Sequence, residues 1–213
     1  MAPLLKKLAK QLASPSRDLS LGVALRQNSF GPDLERIAFN LGKTYLFLLP
    51  PAMENSNNGH TLRYFSQRTL GALDDLNLRF LSRSLTGRQC YLFPADTYTY
   101  RVQPPDTTHS LGPGISGPVT NRAGRMAFFE TCQIASAYSK RYTEYGVEAL
   151  KNDSFLAYTE PQLLALFADY MHKSLSATCV GLWNPHMDDF GGVCGFGVFP
   201  LSDALFRYYN DTH

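Results

Sequence analysis

The sequence predicts an α+β fold in which three main helices pack on a small, mostly antiparallel sheet, with a C-terminal glycine-rich hairpin. Two observations indicate this class. Apolar residues recur at helical spacing in long segments, and short aromatic or β-branched runs are bounded by Gly or Pro. Apolar residues form 44% of the chain and charged residues 18%, as in a folded globule. The 213 residues can bury a full core as one domain.

The main helices are predicted at residues 61–86, 126–150 and 160–174. The first carries one apolar stripe, with Thr61 suited to cap its start and Gly87 placed just after its end. The last follows a capping-box spacing and also carries an apolar stripe. A separate basic amphipathic helix is predicted at residues 1–16, before a single α+β domain at 17–213. It is expected to pack on the domain or on a partner.

The strands are predicted at residues 43–49, 90–93, 97–102 and in the hairpin at 178–199. The segment 43–49 is continuous and apolar, so it is expected at the centre of the sheet with both faces covered. Four glycines would weaken the second half of the hairpin, so another group is expected to approach its backbone. Residues 104–124 form a proline- and glycine-rich loop, and ordered loops of this length are commonly functional or held by a partner.

Charge is unevenly distributed along the chain, although the net charge is only +2. Residues 1–62 carry a net +3, residues 63–125 a net +4 and residues 126–213 a net −5. The basic middle could face phosphates or an acidic partner, whereas the acidic final third could not do so easily.

The candidate binding surface is the basic middle, where arginines alternate with aromatic residues. Guanidinium groups match phosphates, and exposed rings can stack on bases. The chain is therefore predicted to be a non-catalytic subunit of a larger assembly, in its most specific form a nucleoprotein complex that contacts RNA. A protein-binding face, or core aromatics beside scattered charges, explains the same pattern. The candidate residues are Arg63, Arg68, Arg79, Arg83, Arg88, Arg101, Arg122, Arg125, Tyr98 and Tyr100.

An enzymatic alternative rests on Cys90 and His109. A cysteine nucleophile needs a base that holds it as a thiolate, and the long loop supplies the histidine. Leu85-Thr86-Gly87 before the cysteine, with a histidine about twenty positions later, resembles the cysteine-histidine glutamine deamidases of bacterial effectors. That resemblance implies a hydrolase or deamidase. It departs from the family because two residues separate Gly87 from Cys90.

No cofactor, metal site or membrane span is predicted. The chain has no P-loop, dinucleotide fingerprint, GxSxG or HExxH motif, and no apolar run of about 18 residues. His186, Asp188 and Asp189 offer three metal-capable side chains in one turn, but no fourth ligand is visible. The four cysteines form no CxxC pair, which predicts neither a zinc site nor a disulfide framework and favours a reducing, cytoplasmic setting.

Overall fold

The computed structural model describes residues 22–26, 45–49, 89–102, 111–143, 146–175 and 179–212. Among these residues no helix is long and apolar enough to cross a membrane. The helices predicted at 1–16 and 61–86 lie outside the described residues, as does His109. The chain divides into two compact units. The first comprises Met1–Ala52, Leu73–Phe93 and Tyr170–Gly181, and the second comprises Met53–Ala72, Pro94–Asp169 and Leu182–His213.

A four-stranded sheet has the order β1-β2-β3-β10. Its strands are β1 (Gly22–Arg26), β2 (Tyr45–Leu49), β3 (Gln89–Pro94) and β10 (Cys179–Trp183). The strand β2 runs parallel to both β1 and β3, with Phe47 opposite Cys90. It is therefore an interior strand, as its continuous apolar sequence predicted.

The strand β10 also runs parallel to β3. A disulfide joins Cys90 and Cys179 near the starts of the two strands. At their ends, the Ala95 N–H donates to the Trp183 carbonyl at 3.0 Å. The first residues of β3 and β10 are therefore adjacent, and so are their last residues, which makes the two strands parallel. The predicted α+β class with a mostly antiparallel sheet is therefore confirmed only in part. A six-stranded antiparallel sheet is present, but the strands predicted at 43–49 and 90–93 lie in this parallel sheet. An apolar run does not specify the direction of its neighbours.

The second unit contains an antiparallel sheet of order β5-β4-β9-β8-β7, with β6 also paired to β4. Its strands are β4 (Thr97–Val102), β5 (Leu111–Gly114), β6 (Arg125–Met126), β7 (Ser139–Thr143), β8 (Gly146–Lys151) and β9 (Ser154–Tyr158). One face of β4 and β9 holds a buried cluster that includes Tyr98, Val102 and Phe155. Residues that alternate with these, such as Thr99 and Leu156, are buried on the other face.

The α-helices among the described residues are α1 (Phe128–Ala135), α2 (Pro161–Leu175) and α3 (Pro200–Thr212). The prediction for 160–174 agrees with α2 to within one residue at each end. The helix predicted at 126–150 is wrong beyond Ala135, because β7 and β8 form a hairpin there. Gly146 explains part of this result. Its φ is +145°, and a Cβ at that position would lie 2.8 Å from the Tyr158 carbonyl oxygen, so the chain turns where only glycine fits.

The C-terminal hairpin is not confirmed. After β10 come a short 3-10 helix (Pro185–Met187) and consecutive turns, and residues 190–199 form no strand. The Asp189 carboxylate explains this conformation, since it accepts hydrogen bonds from the N–H groups of Val193 at 3.1 Å and Cys194 at 2.7 Å. Backbone donors committed to one carboxylate are not available for a strand ladder.

Part of the long loop predicted at 104–124 is ordered by Glu130. Its buried carboxylate accepts hydrogen bonds from the N–H groups of Val119, Thr120 and Ala127. Burial alone would raise the pKa of Glu130, but the hydrogen bonds from Ala127, Val119 and Thr120 outweigh it, so the pKa lies below its usual value. A helix side chain therefore holds this stretch, and the same loop also supplies strand β5.

Candidate functional site

The carboxyl ends of parallel strands are the usual location of ligand sites in folds with parallel sheets. Here β3 ends at Pro94 and β10 ends at Trp183, and the residues just beyond both ends belong to the second unit. The hydrogen bond between Ala95 and Trp183 holds the two ends together. Trp183 is half-buried and is the only tryptophan in the chain. The backbone of Trp183 is therefore fixed at the strand end where a ligand would be expected.

A buried ion pair lies immediately after β3. Asp96 is only 2% exposed, and its Oδ2 accepts a hydrogen bond from Arg125 Nη1 at 2.9 Å. The pairing of β6 with β4 places Arg125 beside Tyr98, and the guanidinium carbon lies 3.8 Å from the centroid of the Tyr98 ring. The other Asp96 oxygen, Oδ1, is buried and has no hydrogen-bond partner among the described residues.

Burial controls the protonation of this cluster. It raises the pKa of Tyr98 to about 12, although the positive charge of Arg125 opposes the shift. Burial also lowers the pKa of Arg125, but the interactions with Tyr98 and Asp96 more than compensate, so that pKa lies above its ordinary value. The phenol is neutral and the guanidinium charged near neutral pH. The ion pair balances its own charge and leaves one buried acceptor, Asp96 Oδ1, without a hydrogen bond from the described residues.

Asp188 and Asp189, the acidic pair after the 3-10 helix, have structural roles. Both are fully buried. Asp188 accepts hydrogen bonds from the backbone N–H groups of Asp189 and Leu201 and from both the N–H and the hydroxyl of Ser202. It thereby caps the start of α3. With Asp189 bound to backbone amides as well, the turn with His186 has no free carboxylate for a metal ion, and no group of three ligating side chains occurs among the described residues.

The glycine-rich segment, residues 190–199, is fastened to α1. A disulfide joins Cys132 to Cys194, and the rings of Phe129 and Phe190 pack edge to face with centroids 5.2 Å apart. Several of its apolar side chains remain exposed: Phe190, Val193, Phe196, Val198 and Phe199.

The described members of the predicted arginine/aromatic surface lie in different environments. Arg125 pairs with Asp96, whereas Arg101 pairs with Asp153 near the opposite end of β4 and is 60% exposed. Strand alternation places Arg101 on the face of β4 opposite Tyr98 and Tyr100. Tyr98 is buried, Tyr100 is half-buried and Arg122 is exposed. Arg63, Arg68, Arg79, Arg83 and Arg88 lie outside the described residues. A contact between these residues and a protein partner stays a prediction.

The cysteine-hydrolase alternative is wrong. Cys90 is 2% exposed and is disulfide-bonded to Cys179, so it offers no thiolate to a substrate. All four cysteines are paired. The pairing was missed because the bonded residues are 89 and 62 positions apart, and only the fold brings them together.

Sequence reasoning also missed Trp183 and Asp96 as candidate site residues. Each lies at or just beyond the end of an apolar run, and Trp183 precedes the turn-forming Asn184-Pro185. The positions of these two residues at the ends of apolar runs are visible in the sequence. They indicate a site only when the two runs are recognised as neighbouring parallel strands. Interpretation of 178–199 as a hairpin removed that possibility.

Comparisons with known proteins show similarity to chitinases and chitinase-like proteins. No family model matches the chain. It is 31% identical over 99 residues to human chitinase-3-like protein 2, a match that covers 45% of this chain and 25% of that protein. It is also 31% identical over 101 residues to mouse oviduct-specific glycoprotein (46% and 14%) and to Drosophila melanogaster probable chitinase 10 (45% and 4%). The matches thus cover a quarter or less of each relative.

Solved structures share the fold over nearly the whole chain. Human YKL-39, described as a pseudo-chitinase with retained chitooligosaccharide binding properties, superposes with a TM-score of 0.75 at 18% identity, covering 98% of this chain and 64% of that one. Ostrinia furnacalis Group IV chitinase in complex with allosamidin gives 0.77 at 18% identity, covering 99% and 62%. The prediction of an RNA-binding subunit of a nucleoprotein complex is therefore wrong, and the chain has the fold of a little under two thirds of a chitinase-type chain.

Proposed function

We propose that the chain is part of a chitinase-like protein and that it binds a chitooligosaccharide at the ends of β3 and β10. The observation that carries this proposal is the fold shared with human YKL-39 and the insect chitinase, together with an anchored Trp183 at that strand edge. On this basis the four parallel strands belong to a parallel barrel of the TIM type, whose ligand sites lie at the carboxyl ends of the strands.

The half-buried Trp183 at this edge suits an acetamido sugar. A pyranose ring has apolar faces and an edge of hydroxyl and amide donors. The Trp183 indole offers an apolar surface with one polar atom. A largely apolar wall with a few placed polar groups is the usual composition of a small-molecule site.

The carboxyl groups described just beyond the ends of β3 and β10 are engaged by other groups of the protein. Asp96 is paired with Arg125, and Asp188 and Asp189 accept hydrogen bonds from backbone amides. The proposal therefore covers binding and assigns no catalytic acid.

An oxidising compartment is proposed in place of the cytoplasm. Both disulfides join residues far apart in the chain, and such bonds persist mainly in secreted and extracellular proteins. Protein isolated with immediate alkylation should show no free thiol after denaturation without reductant. Four alkylated cysteines would refute the compartment and leave the ligand proposal untouched.

The binding test uses Trp183 as its own reporter, since no other tryptophan contributes fluorescence. Titration with the tetramer of N-acetylglucosamine should shift the emission to shorter wavelength and release heat in calorimetry. Replacement of Trp183 by Ala should weaken the affinity about tenfold or more, a loss of about 1.4 kcal/mol or more.

The matched control is Phe206→Ala, which removes an aromatic ring that is 65% exposed on α3 and distant in sequence from the strand ends. This variant should bind as the unmodified protein does. A cellulose tetramer, which lacks acetamido groups, should bind more weakly than the chitin tetramer. No heat and no spectral change with millimolar chitin tetramer would overturn the proposal, as would equal losses in the two aromatic variants.

A further inference from the structure

Two segments of the chain match the acceptor pattern for N-linked glycosylation, Asn-X-Ser/Thr with X other than Pro. They are Asn152-Asp153-Ser154 and Asn210-Asp211-Thr212. A match of this kind predicts glycosylation only where the asparagine is accessible and the hydroxyl can approach it. The two segments differ in their structure.

Asn152 occupies the tip of the β8–β9 hairpin. Lys151 pairs with Ser154, so Asn152 and Asp153 form a two-residue turn, and Asn152 has a φ of +53°. Asp153 anchors the turn, because its carbonyl accepts the N–H of Val102 and its carboxylate pairs with Arg101. Asn152 itself is exposed to solvent. The Ser154 hydroxyl lies 3.5 Å from Asp153 Oδ1, the outer limit of a hydrogen bond, so it can rotate toward the asparagine.

Asn210 lies in a different environment, within the last turn of α3. The Thr212 hydroxyl donates to the Tyr208 carbonyl at 2.6 Å, which holds this part of the second segment in helical geometry. The hydroxyl of that segment is therefore committed to a short hydrogen bond, whereas the Ser154 hydroxyl makes only the 3.5 Å contact with Asp153.

We propose that Asn152 carries an N-linked glycan. In the reaction, Asn152 Nδ2 forms a bond to C1 of an oligosaccharide carried on a lipid diphosphate, and the bond between C1 and the diphosphate oxygen breaks. The lipid diphosphate leaves, and the amide loses one proton to a base of the transferase. The two disulfides point to the same compartment in which this transfer occurs.

The modified turn lies far from the proposed sugar site. Along β4, Tyr98 pairs with Ala157 at one end and Arg101 pairs with Ser154 at the other. Arg101 lies five residues after Asp96 along extended chain, which corresponds to about 17 Å. A glycan at Asn152 therefore leaves the Asp96 edge uncovered, and the inference does not depend on the function proposed above.

The test directs the full chain into the secretory pathway of insect or mammalian cells with an added signal peptide. Mass spectrometry of the secreted protein should find the peptide containing Asn152 with attached hexosamine and mannose, which peptide N-glycosidase removes. The glycan should be lost in both Asn152→Gln and Ser154→Ala, and retained in Ser154→Thr, which preserves the acceptor pattern.

The matched control is Asn210→Gln, which should leave the glycan at Asn152 in place. An unmodified Asn152 peptide from the secreted, disulfide-bonded wild-type protein would overturn the proposal without any variant. Loss of the glycan in Asn210→Gln together with its persistence in Asn152→Gln would do the same.

Discussion

Replacement of Asp188 by Asn should destabilise the second unit, because this carboxylate joins the turn after β10 to the start of α3. The substitution conserves shape, and one carbonyl oxygen still accepts from Asp189 and Leu201. The amide nitrogen that replaces Oδ2 now faces two donors of Ser202, the N–H and the hydroxyl, each at 2.9 Å. The Ser202 N–H then has no acceptor at this position, and the Ser202 hydroxyl can no longer donate to it.

The magnitude follows from these two contacts. A hydrogen bond to a charged group contributes about 1.5–3 kcal/mol. The Ser202 hydroxyl can rotate and accept from the new amide, but the backbone N–H cannot. The free energy of unfolding should therefore fall by about 3 kcal/mol, a large share of the roughly 5–15 kcal/mol typical of a domain.

Urea denaturation followed by Trp183 fluorescence measures this change in the unit that contains both groups. The matched control is Asp203→Asn on the same helix, where the carboxylate forms a surface pair with Arg207 at 2.8 Å and should contribute at most about 0.5 kcal/mol. Equal losses in the two variants, or a loss below about 1 kcal/mol for Asp188→Asn, would refute the cap as the source of stability.

Three further perturbations test the fold and the site. Folding lowers the pKa of Glu130, so the contribution of its carboxylate to the free energy of unfolding is complete above the unfolded pKa and is lost as pH falls through the folded pKa. Glu130→Gln should therefore reduce stability at neutral pH, and the stability of this variant should depend less on pH in the acid range. Arg125→Met leaves the buried Asp96 carboxylate without its partner and should lower the free energy of unfolding by about 3–5 kcal/mol in chemical denaturation. A second substitution, Asp96→Asn, should recover part of that loss. Additive effects of the two substitutions would argue against the ion pair. Gly114→Ala places a Cβ against the backbone nitrogen of Gly124, whereas at Gly195, where φ is +78°, an added Cβ would have no atom within 4 Å. Gly114→Ala should therefore lower the melting temperature more than Gly195→Ala does. The reverse order would contradict the packing of β5.

The elements predicted well are those whose signals are local. The helix α2 follows a capping-box spacing and carries a regular stripe, and β4 has the alternating aromatic and β-branched residues of a strand. The parallel sheet was not predictable in the same way, because strand direction depends on crossover connections rather than on residues within β2 or β3. The aromatic residues of the segment 136–150 also fit helical spacing, but the segment forms the paired strands β7 and β8.

The sequence predicts Tyr98 and Arg125 as aromatic and cationic groups for nucleic acid. The structure instead packs them on each other beside Asp96. A sequence pattern indicates which groups are present, but not which charges neutralise one another after folding. The role proposed for Trp183 depends on strand β3, about ninety residues earlier, and the spacing of residues around Trp183 does not reveal that neighbour.

The two disulfides interleave along the chain, since Cys132 lies inside the span closed by Cys90 and Cys179, and Cys194 lies beyond it. A protease that cuts one peptide bond anywhere between Cys90 and Cys194 would therefore release no fragment. The cleaved polypeptide would stay one covalent molecule and would separate into two pieces only on a reducing gel.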